Sequence, residues 1–192
     1  MALTPSTMPA LGTPAPDFTL PDVTTGQDVS LATFAEFPVL LVMFICRHCP
    51  YVKHVQVELA ALANEYIPKG VGVVAISSND ISAYPEDSPD MLRAMARELD
   101  FHFPYVFDAT QEVAKAFQAA CTPDFFVYDR ARKLVYRGQM DDSRPGNGLP
   151  VTGADLRRAL DAALAGEPPL PDQKPSVGCN IKWRPGNAPA YA

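Results

Sequence analysis

The sequence predicts an α/β fold in which a mixed central sheet carries helices on both faces. Three observations lead there. Residues 39–45 and 71–76 are uniformly apolar, the pattern of strands buried on both faces. Between them Val52, Val55, Leu59, Leu62 and Tyr66 recur at helical spacing, so strand, helix and strand form a parallel unit with a right-handed crossover. Further on, two short apolar runs, 125–128 and 134–137, flank the polar Asp129-Arg130-Ala131-Arg132-Lys133 and predict an antiparallel hairpin.

Residues 17–20 and 29–31 form a short N-terminal hairpin in this reading, ahead of the strand at 39–45. Pro50 suits the first turn of the following helix, where its missing N–H would have no partner anyway, and Pro68-Lys69-Gly70 ends that helix. After the strand at 71–76, a helix is expected over 89–99, with Ser88 as its cap and Leu92, Met95 and Leu99 inward. A third spans 111–119. A last helix, after the hairpin, puts Leu156, Ala159, Leu160, Ala163 and Leu164 on one face. The 20 prolines gather toward the two ends. That divides the chain into an N-terminal extension (1–14), a compact domain (15–166) and an extended C-terminal tail (167–192) packed on the domain.

At 192 residues, 47% hydrophobic and 20% charged, the chain can bury a full core. A net charge of −6 argues against a nucleic-acid surface, which is usually a basic stripe. The opening residues lack the cationic and apolar regions of a secretory signal, and no stretch has the apolar length of a membrane helix. The expectation is a cytoplasmic protein, monomeric or homodimeric, that binds neither nucleic acid nor membrane. In a reducing compartment, cysteines tend to be catalytic, redox-sensing or metal-binding.

Cys46-Arg47-His48-Cys49 directly follows the first buried strand, at the carboxyl end where open sheets place their sites. A thiol at a helix N-terminus meets the positive end of the helix dipole and unpaired N–H groups, both of which favour thiolate. Arg47 and His48 add positive charge, so Cys46 is expected to be the acidic nucleophile and Cys49, one turn on, the resolver. Cys46 would attack a substrate disulfide, and Cys49 would release the reduced product by closing Cys46–Cys49. Other readings of the pair are half of a zinc site completed by Cys121, Cys179, His48 or His54, or a purely structural pair. No second closely spaced cysteine pair supports zinc, and Pro50 stands where haem attachment needs His. Neither metal nor cofactor is expected.

These residues resemble the thioredoxin superfamily, and more closely its peroxiredoxin-like redoxin branch, which includes thiol-specific antioxidant and alkyl hydroperoxide reductase relatives. The resemblance runs from about Ala15 to Ala165. It rests on Ala15-Pro16-Asp17-Phe18-Thr19-Leu20, Cys46-Arg47-His48-Cys49-Pro50 and Cys121-Thr122-Pro123-Asp124-Phe125-Phe126. A thioredoxin-like subgroup is similar through Cys49-Pro50-Tyr51-Val52, the loop from Asp141 to Asn147, and Gly178-Cys179-Asn180-Ile181-Lys182-Trp183. The resemblance implies a thioredoxin fold, a cis Pro123 against the redox pair, and a Thr122 backbone able to pair with an extended substrate; an ordinary loop proline is the other reading. It implies disulfide substrates in proteins or small molecules and a thiol reductant, with peroxide as the alternative substrate. Aligned with the peroxidase pattern Pro-X-X-X-Thr-X-X-Cys, Cys49 takes the peroxidatic place, while Cys46 stands for the Thr and Val42 for the Pro. A second thiol in place of that hydroxyl turns the site toward dithiol exchange. A further alternative is a non-catalytic redox-sensing or zinc-binding module.

Cys121 reads as a third redox thiol or as a small core filler. Cys179 lies in a tail with Ile181 and Trp183; it either resolves an intermediate at the redox centre or belongs to a structural strap. Asp80 is a weak candidate for deprotonating Cys49. The loop Asp141-Asp142-Ser143-Arg144-Pro145-Gly146-Asn147 lacks the ligand order of a calcium loop and is expected to be solvated or to bind the tail. His102 is expected to be structural.

Overall fold

The computed structural model describes residues 3–192. The strands are β1 (Leu3–Pro5), β2 (Thr19–Pro21), β3 (Asp28–Ser30), β4 (Val39–Phe44), β5 (Val71–Ser77), β6 (Tyr105–Phe107), β7 (Cys121–Thr122), β8 (Asp124–Tyr128), β9 (Leu134–Gly138) and β10 (Val177–Asn180). The helices are α1 (Pro50–Tyr66), α2 (Pro89–Glu98), α3 (Glu112–Ala116) and α4 (Ala154–Leu164). The main sheet has the order β6-β5-β4-β8-β9; β4, β5 and β6 are parallel and β8 is antiparallel to both its neighbours. β2 and β3 form the expected N-terminal hairpin, and β1-β10-β7 form a separate antiparallel sheet.

β4 explains why its sequence shows no alternation. Val39, Leu41 and Met43, with Ile45 beyond, enter a core shared with α1, α2 and α4. Leu40, Val42 and Phe44 enter a second core, closed by the hairpin, Ala114, Phe117 and Ile181. Both faces are dry, so every position is apolar. α1 turns Val52, Val55, Leu59, Leu62 and Tyr66 inward, as their spacing predicts. The chain leaves it through a 3-10 turn to Gly70, whose φ of 103° is open to glycine, and reverses into β5.

α3 is shorter than the 111–119 expected, because Gln111 (φ 67°) and Gln118 (φ 55°) adopt left-handed backbone on either side of it. Gln111 is buried instead as a polar clamp, its Nε2 donating to the carbonyls of Ser78 (2.7 Å) and Lys182 (2.8 Å). β6, β7, β1 and β10 had no counterpart in the sequence reading, since strands of 2 to 4 residues are too short to show a period. Among the described residues, no helix is long and apolar enough to cross a membrane.

Leu41 is fully buried in the centre of the sheet. Leu41→Ala should cost about 2–5 kcal/mol, seen as a lower urea midpoint at unchanged slope. Asp124 is also fully buried, and burial pushes its carboxyl up to about 8, against the pull of the Phe125 N–H. The folded state therefore holds this proton where the unfolded chain, with a carboxyl pKa of about 3.9, has lost it. Stability of the native protein should fall relative to Asp124→Asn as pH rises from about 4 to about 8, then level off. Parallel pH–stability profiles for the two proteins would contradict this.

Candidate redox site

The chain leaves β4 at the carboxyl end of the parallel strands and turns into α1 through Cys46-Arg47-His48-Cys49. Cys49 is the N-cap of α1, with extended backbone (φ −67°, ψ 123°), and Pro50 opens the helix. One buried carboxylate organises the turn. Asp87, from the loop after β5, accepts the backbone N–H groups of Arg47 (2.8 Å) and His48 (3.0 Å) on Oδ1. Its Oδ2 lies 2.5 Å from His48 Nδ1 and accepts the Asn79 amide at 2.8 Å. Burial opposes ionisation of Asp87, yet the hydrogen bonds from His48 and Asn79 hold its carboxyl below the ordinary carboxylate value. The His48 ring is stacked on Tyr84 at 4.7 Å. Sequence reasoning missed Asp87 and named Asp80, whose carboxylate is occupied by the backbone and hydroxyl of Ser82. The available signal was a polar loop following the second parallel strand.

Three sulfurs meet under this turn. Cys49 Sγ lies 3.0 Å from Cys179 Sγ and 3.2 Å from the Thr122 carbonyl oxygen. Cys46 Sγ lies 3.3 Å from the Thr122 hydroxyl and 3.7 Å from His48 Nδ1. The Thr122–Pro123 peptide bond is cis, as the resemblance implied. Cys46, Cys49 and Cys179 are 1%, 0% and 2% exposed, so all three are closed to bulk solvent.

The electrostatics favour the anion at Cys49 over the anion at Cys46. Cys49 carries the acidic thiol: a hydrogen bond from Cys46 outweighs burial and, with further bonds from Cys179, the Val52 N–H and Thr122, brings it to about 5. Cys46 is instead raised well above an ordinary thiol by burial, by its bond to Cys49 and by the negative charge of Asp87. The Arg47 guanidinium is engaged by Glu98 (3.1 and 3.2 Å) and the Met91 carbonyl (3.2 Å). His48 does reach Cys46, but in company with Asp87. Cys179 is pushed up to about 12 by burial and by Cys49, with Lys182 pulling the other way.

The tail corrects a second expectation. The edge of β7, where Thr122 would meet an extended substrate, is taken by β10, with Cys179 opposite Thr122 and Asn180 opposite Cys121. Gly178 makes the close approach possible: a Cβ there would lie 2.1 Å from the Thr122 carbonyl oxygen. Ile181 N–H donates to Ala120 (3.0 Å) and Lys182 N–H to the Asn79 side chain (2.8 Å), so the tail crosses the carboxyl ends of the parallel strands. Lys174 pairs with Asp142, while Asp141 Oδ2 accepts the N–H groups of Thr152 and Gly153 (2.7 Å each) just before α4. The 141–147 loop thus binds both the tail and the start of a helix.

Cys121 is buried, 3.8 Å from the Pro123 carbonyl, and burial together with Asp124 raises it well above an ordinary thiol. His54 bonds Ser143 (2.7 Å) and His102 pairs with Asp100 at the surface, so neither joins the sulfurs. Cys46, His48 and Asp87 place three possible metal-donor atoms within 4.8 Å of one another. Two of them already share the 2.5 Å contact between His48 and Asp87. Zinc held by two thiolates at about 2.3 Å in tetrahedral geometry would set the sulfurs roughly 3.8 Å apart; Cys49 and Cys179 are closer, at 3.0 Å.

The family model described as Redoxin matches residues 10–156. Among solved structures, an uncharacterised conserved protein of Geobacillus kaustophilus is similar at 56% identity, with 97% of this chain and 98% of that one covered and a TM-score of 0.94. A hypothetical protein of Sinorhizobium meliloti shares 52% identity over 95% of this chain and 100% of its own, with a TM-score of 0.93. A thiol:disulfide interchange protein of the thioredoxin family from Chlorobium tepidum shares the fold at 21% identity, covering 81% of this chain and 99% of that one, with a TM-score of 0.61. No curated protein matches. The fold is the thioredoxin fold.

Thiolate absorbance should rise in a step near pH 5 in the native protein and lose that step in Cys49→Ser. In Cys46→Ala the step should move to higher pH, because the strongest donor to Cys49 is gone. A step that survives in Cys49→Ser but vanishes in Cys46→Ala would return the thiolate to Cys46.

Proposed function

The chain belongs to the Redoxin family, and from that premise we propose that it is a thiol–disulfide oxidoreductase working through the Cys46/Cys49 pair. The observation that carries the reading is the Cys46/Cys49 pair at the N-cap of α1 beside the cis Thr122–Pro123 bond, with the Thr122 hydroxyl 3.3 Å from Cys46 and its carbonyl 3.2 Å from Cys49. Thiolate is the attacking species in disulfide exchange, so Cys49 is the nucleophile and Cys46 the resolver, the reverse of the order expected from sequence. Cys49 attacks a substrate disulfide, one substrate sulfur leaves as thiolate, and a mixed disulfide forms. Cys46 attacks Cys49 and its proton passes to the departing substrate sulfur, because His48 Nδ1, 3.7 Å away, already donates to Asp87. The Cys46–Cys49 bond closes, the second substrate sulfur departs, and a thiol reductant restores the dithiol. Once Cys49 is in the mixed disulfide, its negative charge no longer opposes ionisation of Cys46, so resolution becomes easier after the first attack.

Peroxide reduction is the second reading, because the acidic thiol is the cysteine in the peroxidatic place. Either substrate reaches the sulfurs only when the covering tail yields. A reducing, cytoplasmic setting suits the cycle.

Insulin reduction in the presence of dithiothreitol should be abolished in Cys49→Ser. In Cys46→Ser the mixed disulfide at Cys49 should outlive that of the native protein, with turnover strongly reduced. Peroxide consumption by the native protein without insulin turnover would favour the second reading.

A further inference from the structure

We infer that Cys179 is a third redox thiol, which takes Cys49 from the Cys46–Cys49 disulfide and moves the bond onto the C-terminal strand. This rests on the exchange cycle proposed above. Geometry carries it. Cys49 Sγ lies 3.0 Å from Cys179 Sγ, and Thr122 joins this pair to Cys46, its carbonyl 3.2 Å from Cys49 Sγ and its hydroxyl 3.3 Å from Cys46 Sγ. A disulfide needs an S–S distance of about 2.05 Å, so closing the second pair takes an approach of about 1 Å from the observed contact. The approach is aimed by backbone: β10 is registered on β7 with Cys179 opposite Thr122, the residue whose carbonyl also touches Cys49. Gly178 permits that register, leaving room for the Thr122 carbonyl where a Cβ would stand.

The step balances without an outside oxidant. Cys179 loses its proton and attacks Cys49 Sγ; the Cys46–Cys49 bond breaks, its electron pair leaves on Cys46 Sγ, and a proton returns there. One disulfide has moved and no electrons have been gained or lost. Lys182 works against the burial that raises the Cys179 thiol, and Cys46, raised well above an ordinary thiol by burial, takes up the proton once its sulfur is released. The new bond staples β10 to the start of α1 and closes the Thr122 edge. Opening that edge then requires reduction of Cys49–Cys179.

The test uses the full chain, reduced, mixed with glutathione disulfide, quenched in acid, alkylated and mapped by mass spectrometry. The native protein should yield both Cys46–Cys49 and Cys49–Cys179 peptides, and Cys46→Ser should yield Cys49–Cys179. Gly178→Ala, which lifts β10 from Thr122 without touching a thiol, should lose the Cys49–Cys179 peptide and keep Cys46–Cys49. Persistence of glutathione on Cys49 in Cys46→Ser, with Cys179 alkylated, overturns the proposal. Insulin turnover by a native protein that maps only Cys46–Cys49 overturns it while sparing the oxidoreductase reading. A mapped Cys49–Cys179 bond with no insulin turnover supports the pairing and sinks that reading instead.

Discussion

Burial of β4 on both faces is the constraint from which the site hangs. A strand with no wet side must carry its sheet partners on both edges and a core above and below, and β4 has all four. Its carboxyl end is therefore held rigidly between β5 and β8. The next residues can go only toward the end of the sheet, where a turn and a helix cover the core. The redox turn is the continuation of the strand that fixes the fold, and its cysteines inherit that strand's order.

Asp87 then converts a rigid position into a defined chemistry. A fully buried carboxylate is costly unless its oxygens are satisfied, and the turn supplies two backbone N–H groups and an imidazole, with Asn79 alongside. The same charge that fastens the turn opposes ionisation of Cys46. Cys49 sits one helical turn on, where the Val52 N–H and two neighbouring thiols favour the anion. The two cysteines are thus shifted in opposite directions, Cys46 upward by burial, its bond to Cys49 and the Asp87 charge, Cys49 downward by the hydrogen bonds around it.

The tail completes the site by occupying it. β10 satisfies the hydrogen-bonding edge of β7 and brings a third sulfur to Cys49. Covering an edge strand with the chain's own segment protects it from foreign pairing. Here the strand that covers the edge also carries Cys179, buried with Cys46 and Cys49.

Sequence by itself determined the β4-α1-β5 unit, the β8–β9 hairpin and the placing of Cys46 and Cys49 at a helix start. Those depend on periodicity, proline and spacing within a few tens of residues, where local patterns reflect the fold directly. The family pattern added Thr122-Pro123 beside the pair. Only tertiary structure decided that the surroundings of Cys49 favour the anion more than those of Cys46, that Asp87 lies 40 residues from Arg47 in sequence yet binds its N–H, and that Cys179 meets Cys49 across 130 residues. Arg47 shows the reason most simply. Its position in the motif promises positive charge at Cys46, but Glu98 draws the guanidinium away. A thiol's acidity is a sum over neighbours in space, and most of those neighbours are distant in the chain.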